Sequence, residues 1–405
     1  MAQLNWPTKR LGTVAEFRNG VNYNKSSFGE GVKVVGVSNF QDYSKPKYAE
    51  LDQINPDGIV TERNILRDGD IVFVRSNGNR ELIGRSLFIE KPPEEITHSA
   101  FTIRLRFTSP DVYPKFYAYC FRTRLIRQAL TAQGGGTNIN NLNQDILNAL
   151  EVPLPPLPVQ QRIAGILSAY DELIENSQRR IKILEAMARA LYREWFVQFR
   201  FPGFEHHPRV ASPLGEIPQR WEVRKLKDVC RLTMGQSPKS EFYNEVGNGV
   251  PFHQGVTDFG DRFPTDRLFC TADGRIAEAG DLLFSVRAPV GRMNIANKKI
   301  ILGRGLSAIR HNDGSQAFLW EQLRNRFTKD DMMGNGAIFA SVTKDDMQGI
   351  ELVCPPSSVV EAATKHFEPL HSEIATLSQK IQNLRRTRDL LLPRLLSGQV
   401  DVEAA

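Results

Sequence analysis

Two stretches of the chain carry apolar residues at a helical period that does not drift. The first steps through Ile163, Leu167, Tyr170, Ile174, Ser177, Ile181, Leu184, Ala188, Leu191 and Trp195, alternating fours and threes. The second steps in the same way through Ala363, Phe367, Leu370, Ile374, Leu377, Ile381, Leu384, Arg388, Leu391 and Leu395. A sustained 4–3 stepping predicts a coiled-coil seam rather than an ordinary amphipathic face, because it keeps a narrow stripe turned toward a partner helix. Each stretch follows a double proline, Pro155 with Pro156 and Pro355 with Pro356, which disfavours helix before it and suits a first turn. Ser177 and Arg388 interrupt the stripe, and polar residues at such positions can fix register. Two equal seams in one chain predict helices that pair with each other, antiparallel. About 33 residues at ~1.5 Å rise make a rod of roughly 50 Å.

Outside these stretches the apolar runs are short. "DGDIVFVRSNGNRELIGR" (68–85) reads as a turn, an apolar strand, an Asn-Gly turn and more extended chain, and "AGDLLFSVRAPVGR" (279–292) is its counterpart. "PKFYAYCFRTRLIRQAL" (114–130) and "QAFLWEQLRNRF" (316–327) read as helices. "GGGTNINNLNQDILNAL" reads as a glycine loop entering a short helix, with Asn143 as N-cap and Thr343 as its equivalent in the other half. Each half therefore holds a mixed α/β globule followed by a long helix.

The counterparts form one internal repeat. At an offset of 200, Gly134, Gly136, Asp145, Glu151, Pro155 and Pro156 fall on Gly334, Gly336, Asp345, Glu351, Pro355 and Pro356. Upstream the offset grows: "SAFTIR" (99–104) matches "GLSAIR" (305–310) at 206, "GDIVF" matches "GDLLF" at 211, and "RLGTVAEFRNG" (10–20) matches "KLKDVCRLTMG" (225–235) at 215. The expected class is α+β: two mixed α/β domains separated by two long helices pairing as an antiparallel coiled coil, with an internal pseudo-two-fold repeat. The expected boundaries are a first domain at 1–155, a central helical region at 156–200, a linker at 201–217, a second domain at 218–356, a C-terminal helical region at 357–397 and a tail at 398–405.

The 405 residues are 41% hydrophobic and 24% charged, an ordinary globular balance, with a net charge of +6. That charge favours a polyanionic partner only weakly. The N-terminus lacks the basic-flanked apolar core of a signal peptide, and no apolar run reaches the ~18 residues of a membrane span, so a cytoplasmic protein without a membrane partner is expected. Cys120, Cys230, Cys270 and Cys354 form no Cys-x-x-Cys pair and read as core residues. His206 and His207 read as linker residues. The chain contains no Gly-Lys dipeptide, no His-Glu-x-x-His, no Gly-x-Ser-x-Gly, no Gly-x-Gly-x-x-Gly and no Asn/Asp-Pro-Pro-aromatic motif. A reader of another molecule is expected rather than an enzyme, with no catalytic residue, metal or cofactor of its own.

The repeat, the proline pairs and the helix ends together resemble the specificity subunit of type I restriction–modification systems. "GGGTNINNLNQDILNALEVPLPPLPVQQRIAGIL" is similar to that family's junction between a target-recognition domain and a central helix. "ALYREWFVQFRFPG" (190–203) resembles the end of the first helix, and "LLPRLLSGQVDV" (391–402) the family's C-terminus. One departure is "SSVVEAATKHF" (357–367), which lacks the glutamine kept in the first copy at Gln160 or Gln161. The resemblance implies a non-catalytic subunit that docks two modification subunits, which bind S-adenosylmethionine and methylate adenine, and two restriction subunits, which use ATP and Mg. Each target-recognition domain would read one half of a bipartite site on double-stranded DNA.

Base discrimination rests on Arg bidentate to guanine and Asn or Gln to adenine. The strand-end loops offer such groups. In the first copy they are Asn22, Asn24, Lys25, Arg75, Ser76, Asn77, Asn79, Arg80 and Arg85, and in the second Gln236, Ser237, Lys239, Arg287 and Arg292. Gly135, Thr137, Asn138 and Asn335 could bring backbone close to a phosphate. Any one of these residues is more often a solvated side chain or turn former, so the expectation attaches to the regions. Arg122, Arg124 and Arg127 read as a solvated or phosphate-facing helix surface. A rod of ~50 Å spans at most about 15 base pairs, and readers on one face of DNA favour about 10–10.5 between half-site centres. An enzyme with an unfamiliar site and a coiled-coil scaffold that binds only proteins remain as alternatives.

Overall fold

The computed structural model describes residues 6–40, 44–132, 141–203, 206–327, 341–400 and 402. They divide into two compact units, one of Met1–Ile174 with Asn383–Ala405 and the other of Glu175–Gln382.

In the first unit the strands are β1 (Thr8–Arg10), β2 (Ala15–Asn19), β3 (Phe28–Val35), β4 (Asp52–Ile54), β5 (Ile71–Val74), β6 (Ser86–Phe88), β7 (Ile96–His98), β8 (Thr102–Phe107) and β9 (Glu151–Pro153). The helices are α1 (Pro114–Cys120), α2 (Arg124–Ala132), α3 (Gln144–Ala149) and the opening turns of α4 (Leu157–Tyr192). An antiparallel sheet runs in the order β2-β8-β5-β6, a second in the order β4-β3-β7 with β3 and β7 parallel, and β1 pairs with β9. All four residues of β5 are buried. Ile71 and Phe73 enter the core beneath α1, while Val72 and Val74 face a second core with Val35, Phe40, Leu51 and Ile96. A strand covered on both faces needs the unbroken apolar run that "IVFV" supplies.

In the second unit β10 (Arg209–Ser212) and β11 (Gly215–Pro218) form a hairpin, and β12 (Glu222–Lys225) leads into the short α5 (Leu226–Val229). The remaining strands are β13 (Cys230–Met234), β14 (Tyr243–Asn244), β15 (Val250–His253), β16 (Phe269–Cys270), β17 (Ile276–Ala277), β18 (Leu282–Ser285), β19 (Met293–Ile295), β20 (Ile300–Leu302), β21 (Leu306–His311) and β22 (Glu351–Cys354). The helices are α6 (Gln316–Arg326), α7 (Lys344–Gln348) and α8 (Ser357–Leu396), of which the closing turns belong to the first unit. Here the sheet order is β13-β21-β18-β19, β15 and β20 are parallel, and β12 pairs with β22. The strand before each globule thus pairs with the strand just ahead of each Pro-Pro, in both units.

The strand registers correct one sequence match. Ile71 faces Leu105 and Leu282 faces Ile309, so β8 and β21 correspond at an offset of 204, not 206. A slip of two keeps every side chain on its own face, which is why apolar patterning could not detect it. The corrected register aligns Arg106 with Arg310. Arg106 clamps buried Asp70 through Nε at 2.7 Å and Nη2 at 2.6 Å, and Arg310 donates through Nε to Asp281 at 2.5 Å. Each aspartate also accepts from the backbone three residues upstream, Arg67 N at 2.7 Å and Glu278 N at 2.8 Å. The preceding Gly69 and Gly280 both sit at φ +87°, a left-handed turn that glycine alone adopts without strain.

Both long helices begin immediately after their prolines, as the pattern predicts, and span 36 and 40 residues. Every predicted seam position is buried or half-buried. Trp195 falls beyond the α-helix, in a wider π turn at Arg193–Val197. Within the first unit Ile163, Ala164 and Leu167 share a core with Leu395 and Leu396. Within the second unit Ala188 and Tyr192 share one with Val359, Val360, Ala363 and Phe367. Residues 114–130 form two helices rather than one: Thr123 Oγ1 donates to Cys120 O at 2.7 Å and closes α1 early. Among the described residues, no helix is long and apolar enough to cross a membrane.

Candidate nucleic-acid interface

The loop between β5 and β6 holds most of the first copy's candidates. Val74 N donates to Arg85 O at 2.9 Å and Gly84 N to Val74 O at 3.0 Å, so the loop leaves a closed hairpin neck. Arg75 N donates to Phe101 O, and Leu142 N to Arg75 O, each at 2.8 Å. This residue's backbone therefore ties three segments together: the end of β5, the turn before β8 and the entry to α3. Arg75 is half-buried, and its guanidinium has no hydrogen-bond or ion-pair partner among the described residues. An Arg held at such a junction, without a partner among the described residues, is suited to base or phosphate contact.

The neighbouring asparagines serve the backbone. Asn77 Oδ1 accepts from Asn79 N at 2.7 Å, and Asn79 Oδ1 accepts from Glu81 N at 3.0 Å. Asn24 Oδ1 accepts from Ser26 N at 2.9 Å and from Ser26 Oγ at 2.6 Å, capping a one-turn 3-10 helix. These three are turn formers first, with their side-chain oxygens turned onto nearby amides. Arg85 Nε donates to Glu81 O at 3.3 Å, and Arg80 lies in the 3-10 turn Arg80–Leu82. Ser76 is half-buried next to Arg75, whereas Asn22 and Lys25 are exposed.

Sequence reasoning missed Phe101, which is 62% exposed on the turn that receives Arg75 N. Side-chain hydrogen bonds brace the turn beneath it. Thr102 Oγ1 donates to Ser99 O at 2.7 Å, which leaves its oxygen to accept from His98 Nδ1 at 3.0 Å. Burial, followed by the charges of Arg104, Arg106 and Arg18, pushes the His98 pKa down to about 3. Two of these three charges are compensated, since Arg104 Nη2 donates to Glu16 at 2.7 Å and Arg106 is paired with Asp70. An exposed aromatic in a strand-rich chain has no period to mark it, so only a solvent-facing position in space reveals it.

In the second unit Val286 N donates to Gly305 O at 2.9 Å and Val342 N to Val286 O at 2.8 Å, the same two links that Arg75 makes. Val286 therefore stands in the place of Arg75, and exposed Arg287 in that of Ser76. The two arginines of the sequence match are one residue apart in register. Arg85 and Arg292 do correspond, since Ser285 N donates to Arg292 O at 2.9 Å. Ser237 Oγ donates to Gln254 Oε1 at 2.9 Å and accepts from Arg304 N at 3.1 Å, which fixes the loop after β13. Gln236 and Lys239 are exposed there, with Lys239 Nζ 3.9 Å from Glu241. Exposed Arg304 joins this group unforeseen by the sequence reading. Gly135, Thr137, Asn138 and Asn335 lie outside the described residues. Asn143 and Thr343 do cap their helices, accepting from Ile146 N at 2.8 Å and Asp346 N at 3.2 Å. Among the described residues no group of three or more His, Cys, Asp or Glu side chains converges as metal ligands would.

A chain with the same sheet twice, and polar loops at equivalent strand ends of each, belongs to the class of two-module readers. The family described as "Type I restriction modification DNA specificity domain" matches residues 3–186 and 218–386, one segment in each repeat. The putative type I restriction enzyme MjaX specificity subunit of Methanocaldococcus jannaschii is 30% identical, covering 98% of this chain and 94% of its own. The HindI specificity subunit of Haemophilus influenzae is 22% identical over 84% and 88% of the two chains. The crystal structure of the type I restriction–modification S subunit from M. genitalium superposes with a TM-score of 0.60 at 18% identity, over 97% of this chain and 96% of that one, and shows a shared fold. The chain belongs to the type I restriction–modification DNA specificity family. It is a specificity subunit, the part of such a system that recognises DNA, and not a catalytic one.

Proposed function

We propose that residues 1–155 and 218–356 are two independent target-recognition domains, each reading one half of a bipartite site in double-stranded DNA. The observation that carries this reading is the repeated construction: one chain builds the same strand order, the same Gly-Asp turn and the same Asp–Arg pair twice. The loops at the equivalent strand ends differ, with Arg75 and Phe101 in one and Val286 and Gly305 in the other, which fits two different half-sites. The regions 156–200 and 357–397 act as a spacer, pairing as an antiparallel coiled coil in a pseudo-two-fold repeat. Supporting this, the early turns of α4 pack on the late turns of α8 in the first unit, and the reverse holds in the second. Two modification subunits carrying S-adenosylmethionine and two ATP-using restriction subunits complete the cytoplasmic complex, while this chain contributes recognition alone.

Replacing residues 1–155 with the corresponding domain of another specificity subunit tests the reading. Mapping of methylated sites should show one half-site changed and the other kept. Changes in both halves would refute independent readers.

A further inference from the structure

Each globule is tied to its own long helix by a hydrogen bond at equivalent positions, yet with opposite chemistry. Phe116 and Phe318, and Arg122 and Arg324, align α1 with α6, so that Tyr119 corresponds to Glu321. On the long helices Asp171 corresponds to His371 at the offset of 200 that aligns the proline pairs. Tyr119 Oη donates to Asp171 Oδ2 at 2.8 Å, and Glu321 Oε1 lies 2.9 Å from His371 Nε2. The same two positions have therefore met in both units.

The polarity of the two bonds is reversed. In the first unit the globule donates and the long helix accepts. Asp171 is held ready by Arg388 of α8, whose Nη1 lies 2.5 Å from Oδ1, and by Arg122, whose Nη1 lies 3.7 Å from Oδ2. In the second unit Arg262 Nη2 lies 2.5 Å from His371 Nδ1. A guanidinium has only hydrogens to give, so Nδ1 accepts, and Nε2 must carry the ring proton that goes to Glu321. Here the long helix donates and the globule accepts. Arg262 is itself buried, with its guanidinium 5.0 Å from the centre of the Trp320 ring. Arg324 turns to Glu185 at 3.4 Å rather than to this bond.

We propose that Tyr119 with Asp171, and Glu321 with His371, are equivalent latches, positioning residues that seat each recognition domain on its own helix, and that their opposed polarity disfavours seating the glutamate-bearing domain on the first helix. A domain carrying glutamate at the Tyr119 position would offer Asp171 no proton and set two carboxylates against each other, a repulsion that Arg388 and Arg122 offset only in part. Swapping both members removes the conflict, since Arg388 can then donate to a histidine at 171 as Arg262 does to His371. The inference rests on the recognition-domain reading above.

The test uses the full chain assembled with modification subunits, comparing affinity for the cognate site with affinity for DNA altered in one half. Tyr119→Phe should lower first-half discrimination about tenfold, the loss of one charge-assisted hydrogen bond. Tyr119→Glu should lower it further, while second-half discrimination in the same complexes stays unchanged. Combining Tyr119→Glu with Asp171→His should recover discrimination to within about threefold of the parent, the signature of a coupled pair. Unaltered discrimination in both single variants, or a double variant no better than Tyr119→Glu, would overturn the latch. Absence of half-site discrimination in the parent complex would overturn the recognition reading beneath it.

Discussion

Removing the carboxylate of Asp70 should cost the first unit much of its stability, and more than the same change costs the second. The Asp70 side chain is 1% exposed and its partner Arg106 is 21% exposed, so Asp70→Ala strands a largely desolvated guanidinium. Breaking such a pair from one side typically costs 3–5 kcal/mol. Arg106 Nη2 retains Ile65 O at 3.1 Å, which places the expectation near the low end, at about 3 kcal/mol. Arg310 is 39% exposed, so water takes up more of its charge, and Asp281→Ala should cost only about 1–2 kcal/mol. Hydrogen exchange of the β5 and β18 amides across a urea series measures each opening free energy separately. A loss below about 1 kcal/mol at Asp70, or a larger loss at Asp281, would refute the assignment of this pair as a buried anchor. The double change Asp70→Ala with Arg106→Met should recover part of the loss, because no unpaired charge is left.

Arg75→Ala should relax discrimination at particular bases of one half-site by ~1–3 kcal/mol; uniform weakening across all sequences would make it a phosphate contact. Gln160 bonds Tyr113 N at 2.8 Å, Asp111 O at 2.9 Å and Pro155 O at 2.8 Å, so Gln160→Leu should destabilise the chain by about 2–3 kcal/mol in urea titration, and a change under half of that would show the staple to be dispensable. His98 titrates near 6.5 when unfolded and is pushed to about 3 when buried, so its contribution is intact above pH 6.5 and shrinks as pH falls toward 3. By pH 5 the loss should be about 2 kcal/mol relative to a His98→Asn chain, and parallel pH profiles for the two would contradict the burial of a neutral imidazole.

The helix starts, the Asn143 and Thr343 caps and the tandem order were legible in the sequence because they depend on local chemistry. Proline restricts its neighbours, a cap needs one oxygen three residues from an amide, and a 4–3 stripe is a local periodicity that marks one face of a long helix. The strand register was not legible, since a two-residue slip leaves an alternating pattern unchanged and only the Ile71–Leu105 and Leu282–Ile309 pairings could choose. Nor was the division of labour among loop residues. Asn24, Asn77 and Asn79 have the composition of base readers, but their oxygens are turned onto nearby amides. Arg75 and Phe101, 26 positions apart in the chain, meet only because β5 and β8 are neighbours in one sheet. The sequence by itself determined where the long helices start and where α3 and α7 are capped, and it pointed to the family. The tertiary structure alone decided which polar groups are already satisfied by the protein, because a hydrogen bond is spent by proximity in space rather than by residue type.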